Sequence, residues 1–426
     1  MYFDNGIKCG ESMKKYFNKF IVIITIPAIV FISFLAGCSN EVTPSFYTDP
    51  SPSSLGATPS ISSIDPPNSA LAGVTNITIT GSNFLSNTSA IKVYFGKQAG
   101  TIISATSTQL TVIPPNTPGT MKIKISTNTA VLFSNTYDYV LNPSAVDWYP
   151  DLKDHTNQPM NIIVDNSGNL YSSNYAMGIV QIAPDSSSIL YSAKGGETYW
   201  TRMRMGIGGV LYAARGNQAI FTVPSGGGKN SAYVVLSPTT LKLSQIEFDP
   251  SGNLWAAGNN SAIYKIKPDK SYSSYPFNYN VTAMRIFVSG GTPYLYVAAQ
   301  KDSLTTIMRM PIDANGNLGT SENYFDFSGN YGSGYLVNDL TFSNDGEMYL
   351  ATNLPLPIVY INVDKSFGIL YSRVLLNSPA LSLAWGTGNF LYYVRKQIND
   401  ASGNFLLPQT IVKLDLQKTS APYYGM

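Results

Sequence analysis

Two arginines, one carboxylate and three amide or hydroxyl side chains recur at matching points of the chain: Asn161, Arg202, Gln245, Arg285, Asp339 and Ser382. Each is polar, and apolar positions follow each one. Gathered at one opening, they would bind a polar or anionic small molecule. The plain alternative is that they line a water-filled channel. A second set, Tyr175, Tyr199, Trp200 and Arg395, lies in the segments between, with Asn174, Arg215, Asn217, Asn259, Asn260, Gln300, Tyr331, Tyr335 and Asn353. Aromatic faces beside amides suit sugar rings, whose C–H faces stack while their hydroxyls take hydrogen bonds.

Catalytic sets are harder to assemble. There is one histidine, His155, so no histidine pair, HExxH motif or Ser-His-Asp set can be built. Chemistry by paired carboxylates stays open. Asp165 and Asp249 begin Asp-x-Ser-Gly-Asn phrases, whose oxygens are of the kind that bind Ca2+. Asp and Asn also cap tight turns by bonding their own backbone, and that reading is preferred here. Gly226-Gly227-Gly228-Lys229 copies part of a phosphate loop without a following helix and reads as a turn. No catalytic residue, metal ligand or cofactor is expected.

The elements that must hold these residues form a repeat. Six times an apolar alternation runs into a turn and then into a strand bearing an aromatic: Tyr171, Tyr212, Trp255, Tyr296, Tyr349 and Tyr392, spaced by 41, 43, 41, 53 and 43 residues. Alternation with period two is the mark of a strand. A third strand repeats as well, as in Ile179-Val180-Gln181-Ile182 and Ile411-Val412-Lys413-Leu414. A period of about 40–45 residues with several strands per unit is the signature of a β-propeller blade. The sixth unit lacks a fourth strand, and an unpaired edge must be paired or blunted. The segment Ala145-Val146-Asp147-Trp148-Tyr149 is expected to fill it. In a propeller the six polar residues would ring one mouth of the axial channel. The aromatic loops would flank that mouth, and the stretch 395–408 would be a lid over it or an insertion.

The recurring Asp-x-Ser-Gly-Asn-Leu-Tyr/Trp phrase and the strand after it resemble NHL-repeat and SMP-30/gluconolactonase-like six-bladed propellers. The resemblance covers about 280 residues. It speaks for fold more than function, because propellers host both binding and catalysis. The single histidine argues against the lyases of similar shape that need a catalytic one.

Ahead of the repeat, Lys14, Lys15 and Lys19 precede an apolar run from Phe20 to Leu35, the pattern of a secretory leader over residues 1–37. Leu35-Ala36-Gly37-Cys38 resembles a bacterial lipobox, which implies lipidation of Cys38 and anchoring to a membrane. Removing the leader takes away Lys8, Lys14, Lys15, Lys19, Asp4 and Glu11, so 27 basic and 25 acidic residues become 23 and 23. A neutral chain makes no case for nucleic-acid binding. Cys9 leaves too, so no thiol remains for a disulfide or a metal. Residues 38–58, rich in Ser, Pro and Thr, read as a flexible tether.

Residues 59–142 alternate like half-buried strands between Gly, Asn and Pro turns, as in Ile77-Thr78-Ile79-Thr80 and Met121-Lys122-Ile123-Lys124-Ile125. About 85 residues of this kind suggest an immunoglobulin-like sandwich. Ile64-Asp65-Pro66, Gly81-Ser82-Asn83-Phe84, Val93-Tyr94-Phe95-Gly96 and Val112-Ile113-Pro114 resemble the IPT/TIG family, whose modules are spacers or interaction modules. The expected fold class is therefore all-β: an immunoglobulin-like sandwich, then a six-bladed propeller over 143–426.

The leading functional expectation is a binding protein of the cell envelope, held at the outer membrane by its lipid. Its propeller face would take a ligand, a glycan being the class that suits it. Lipoproteins joining these two modules resemble those of Bacteroidetes-type bacteria, which implies an outer-membrane transporter as partner. Two alternatives stand beside it: a metal-dependent hydrolase or lactonase of SMP-30-like type, and a scaffold for protein partners.

Overall fold

The computed structural model describes residues 55–148 and 158–425. The leader 1–37, Cys38, most of the 38–58 tether and His155 lie outside the described residues.

Two sheets pack face to face in the first domain. One has the order Ser60–Asp65, Ile77–Ser82, Gln109–Ile113, Thr101–Ala105. The other has the order Ser69–Leu71, Tyr137–Asn142, Gly119–Thr127, Ile91–Phe95, Gln98–Ala99. Their alternating inner residues, among them Ile77, Ile79, Val93, Phe95, Val112, Ile123 and Ile125, are buried in one core. Each fully buried side chain of this kind contributes roughly 1.5–3 kcal/mol. The polar residues of the same strands face out, which is what alternation in a sandwich produces.

The sandwich passes into the second domain through Pro143 and Ser144 alone. Ser144 Oγ donates to the Ala72 carbonyl at 2.8 Å, and the Ser144 carbonyl accepts from Asp415 N at 3.1 Å. The junction is thus bonded on both sides.

Six four-stranded antiparallel sheets follow. Blade one is Pro159–Val164, Leu170–Asn174, Gly178–Ile182 and Ser188–Ala193; blades two to five repeat the pattern from Arg202–Met205, Leu243–Phe248, Asn280–Ser289 and Val337–Phe342. Blade six takes three strands from the C-terminal part, Ala380–Trp385, Phe390–Arg395 and Thr410–Asp415, and its outer strand, Ala145–Asp147, from ahead of blade one. Ala145 pairs with Leu414, and Trp148 N donates to the Ile411 carbonyl at 2.8 Å. Trp148 sets its ring edge-on to Tyr392 at 5.2 Å. Apolar clusters fill each gap between blades, for instance Ile163, Tyr171, Met203, Met205 and Leu211 between blades one and two.

The recurring phrase owes its residues to one knot of hydrogen bonds. Asp165 Oδ1 accepts from Ser167 N and Asn169 N, and Oδ2 from Asn169 Nδ2 and the Tyr171 hydroxyl, all at 2.9 Å. Asp249 does the same with Ser251, Asn253 and the Trp255 indole. Gly168 and Gly252 both hold φ near 81°, where a Cβ is strained. These carboxylates are committed to their turns. The same knot forms at Asp313 and Asp400, outside the first hairpin of any blade, so the phrase encodes a turn and not a blade position.

Candidate functional site

Five of the six axial residues meet in one layer, and they meet buried. Asn161, Arg202, Gln245, Asp339 and Ser382 are each at most 6% exposed. They form a belt that passes from blade to blade. Asn161 Oδ1 accepts from Met203 N, and Arg202 Nε donates to Gln245 Oε1, both at 2.8 Å. Gln245 Nε2 donates to the Thr282 carbonyl, and Thr282 Oγ1 to the Val337 carbonyl. Asp339 accepts from Leu383 N and Ser382 Oγ, and Ser382 Oγ accepts from Ile162 N and Asn161 Nδ2. Arg202 also crosses the axis to Asp339 and to the Asn338 carbonyl. The expected open mouth is therefore a closed girdle, because a buried polar group must find a partner and these find one another.

Arg285 is not a member of that layer. Blade four places Ala283 there, and Arg285 lies two residues further along the strand. The aromatic pairings show it: Arg285 faces Tyr296 as Ile163 faces Tyr171, Arg204 Tyr212, Glu247 Trp255 and Thr341 Tyr349. Counting back ten residues from each aromatic finds the belt in five blades. Blade four has a tight hairpin at Gly290-Gly291 between two ten-residue strands, and the count shifts.

Arg285 instead joins a second layer that sequence reasoning missed. Glu247 takes Arg204 Nε at 2.7 Å and Arg285 Nη1 at 3.1 Å, all three buried. Burial works against the Arg285 charge, yet Glu247 and then Tyr423 raise its pKa above the ordinary guanidinium value. Burial lowers that of Arg204 despite Glu247. The signal in the sequence was the second polar residue two places on, Arg204 after Arg202 and Glu247 after Gln245, which alternation puts on the same side of the strand.

The C-terminal tail closes this end of the axis. Tyr423 lays its ring 3.6 Å from the Arg285 guanidinium, and its hydroxyl accepts from Phe342 N at 2.9 Å. Tyr424 packs on Phe248 at 4.8 Å, and Lys418 pairs with Asp345 and Glu347. A cavity of about 30 Å³ remains beneath, bordered by Arg204, Glu247, Arg285, Tyr423 and Tyr424. That is room for about one water.

The opposite end of the propeller carries the aromatic loops. Tyr175 and Tyr199 face each other with ring centres 6.2 Å apart and planes 31° apart, and Tyr175 is 45% exposed. Ala176 N donates to the Thr198 carbonyl and ties the two loops together. Trp200 does not join them. It is 1% exposed and packs among Ile163, Met203 and Phe221 in the gap between blades one and two, with its backbone N donating to Ser173 Oγ at 2.7 Å. Arg395 is 3% exposed and grips both oxygens of Asp147, clamping the closing strand. Of the loop amides, Asn217, Asn260 and Asn353 bond loop backbone and shape the loops themselves. The 395–408 stretch folds into a small hairpin, Ile398–Asn399 with Phe405–Leu407. Among the described residues, no three His, Cys, Asp or Glu side chains come together as a metal site would require.

Residues 59–140 match the IPT/TIG domain family. No curated protein matches the sequence. Three of the solved structures that share the fold illustrate it. An auxiliary nutrient binding protein from Bacteroides thetaiotaomicron is 13% identical, with a TM-score of 0.50 over 84% of this chain and 97% of its own. A second protein of that organism, described as a phosphatase, is 12% identical, with a TM-score of 0.53 over 84% and 97%. Regucalcin, a calcium-binding protein from Agrobacterium tumefaciens, is 14% identical, with a TM-score of 0.51 over 64% and 95%. The chain thus carries an IPT/TIG domain at 59–140, followed by a six-bladed β-propeller.

Proposed function

We propose that this chain is a lipid-anchored protein of the bacterial cell envelope, at the outer membrane, and that it binds a saccharide without transforming it. Cys38 carries the anchor, residues 38–58 are the tether, and the sandwich at 59–142 spaces the propeller at 143–426 from the membrane. The saccharide lies on the Tyr175–Tyr199 platform, at the end of the propeller that the tail leaves free, and an outer-membrane transporter receives it. The loop-locked pair of exposed Tyr175 and half-buried Tyr199 carries this reading, since two rings held in place offer stacking area at low entropic cost. The shared fold with an auxiliary nutrient binding protein is in keeping with it. The metal-dependent hydrolase reading is weaker, because Asp339, the axial carboxylate it would draw on, already serves Arg202, Ser382 and Leu383 N.

The test is a glycan array probed with the chain lacking its leader, followed by calorimetry on the best ligand. Replacing Tyr175→Ala and Tyr199→Ala together weakens binding about tenfold, as two aromatic contacts of roughly 0.5–1.5 kcal/mol each require. Unchanged affinity in that double variant removes the platform from the account.

A further inference from the structure

A groove of about 440 Å³ opens between blades four and five, at the tail end of the propeller and therefore away from the Tyr175–Tyr199 platform. Its volume is in the range of small-molecule sites. Its walls divide by chemistry. Phe287, stacked on Phe342 at 4.5 Å, and the exposed Val288 and Val363 supply an apolar side. Arg309 and Lys365 supply a cationic end, the first lying 4.5 Å from the Tyr294 ring and the second against the Tyr324 ring. Ser289, Asn344 and Asp345 bring polar groups between them.

Most of the charges at the groove already have partners. Arg309 is paired with Glu322, and Asp345 with Lys418. Asp364, beside Lys365 in its own turn, is bonded to Ser366. Lys365 has no ion-pair partner among the described residues. A ligand that fits offers a C–H face to the valines and Phe287, hydroxyls to Ser289, Asn344 and Asp345, and one carboxylate to Lys365 and Arg309. We infer that this groove binds a uronic-acid unit of an acidic glycan. The polar middle favours a sugar over an aromatic carboxylate, which would leave those groups without partners.

Lys365 sits on an exposed turn, but its ammonium is partly desolvated against the Tyr324 ring; that desolvation and then the charge of Arg309, opposed by Glu322, bring it down from 10.5 to about 8. Lys365 is therefore charged below about 8 and loses its charge above it, while burial raises Tyr324 to about 12 and keeps it neutral throughout. Affinity for a uronate falls as pH rises from about 7 to about 9.

The experiment is calorimetric titration of the leaderless chain with trigalacturonate, galactotriose and benzoate. Trigalacturonate binds, and the other two bind at least tenfold more weakly. Lys365→Gln, a change at an exposed turn, weakens trigalacturonate at least tenfold, and Lys365→Arg keeps the affinity at pH 9. No binding of trigalacturonate, equal binding of galactotriose or benzoate, or indifference to Lys365→Gln overturns the inference. Tyr175→Ala with Tyr199→Ala leaves this binding unchanged, so the failure of either site is visible without the other.

Discussion

Arg202 reaches across the axis to Asp339 with both partners sealed from water. Such a pair holds its place only through the bonds around it, since desolvation offsets most of the attraction between the two charges. Here the surrounding bonds reach four blades, through Gln245, the Asn338 carbonyl, Ser382 and Leu383 N. Asp339→Leu strands a buried guanidinium and costs about 3–5 kcal/mol. Arg202→Met combined with Asp339→Leu removes the stranded charge but still leaves Gln245, Ser382 and Leu383 N short of partners. The double variant stays below the parent by roughly 1–3 kcal/mol. Urea unfolding of the three proteins checks this, and a double variant as stable as the parent means that the pair is isolated and the belt is no network.

The strands and turns differ in how openly the sequence announces them. The Asp165 and Asp249 turns are legible because every partner of the carboxylate lies within six residues of it. The closing strand is legible because the sixth unit has an empty edge. The belt register in blade four is not, because the length of its first hairpin is set by pairing and not by composition. Trp200 and Arg395 read as loop residues free for a ligand, but each is drawn inward by a partner distant in sequence. The tail is the least legible element: its ten residues show little strand pattern, and Tyr423 finds its place through Arg285 and Phe342, more than eighty residues away. It also answers a charge imbalance, since the two buried layers hold three arginines against Asp339 and Glu247. A ring over a desolvated guanidinium is worth about 2 kcal/mol. Deleting Lys418 to Met426 therefore lowers stability by at least ~2 kcal/mol, since Arg285 loses that ring and Phe342 N its acceptor. Tyr423→Phe keeps the ring and loses only about 1 kcal/mol. Thermal unfolding ranks the parent above Tyr423→Phe and Tyr423→Phe above the deletion; a deletion without effect makes the tail a mere passenger.

At the scale of the whole molecule, the sandwich and the propeller are joined by continuous bonding and not by slack. Ala145–Asp147 leaves the sandwich and becomes the edge of blade six, so the sandwich has a direct hold on ring closure through Ser144 and the Arg395–Asp147 clamp. The tether proposed at 38–58 would let this stiff pair of domains keep its place relative to a surface, and without residues 1–37 the chain is neutral, so its net charge supplies no attraction to an anionic one. In the proposal above, the hold comes from the lipid at Cys38. Each buried CH2 contributes about 0.8 kcal/mol, and one acyl chain holds only marginally, whereas several together anchor firmly. Cys38→Ser removes all of them at once and leaves the folded domains untouched. The variant therefore moves from the membrane pellet to the supernatant on cell fractionation, with an unchanged unfolding midpoint and with glycan affinity kept. A variant that stays in the pellet through high-salt washing is held by something other than its lipid, and the anchor then belongs to an apolar leader that was never removed.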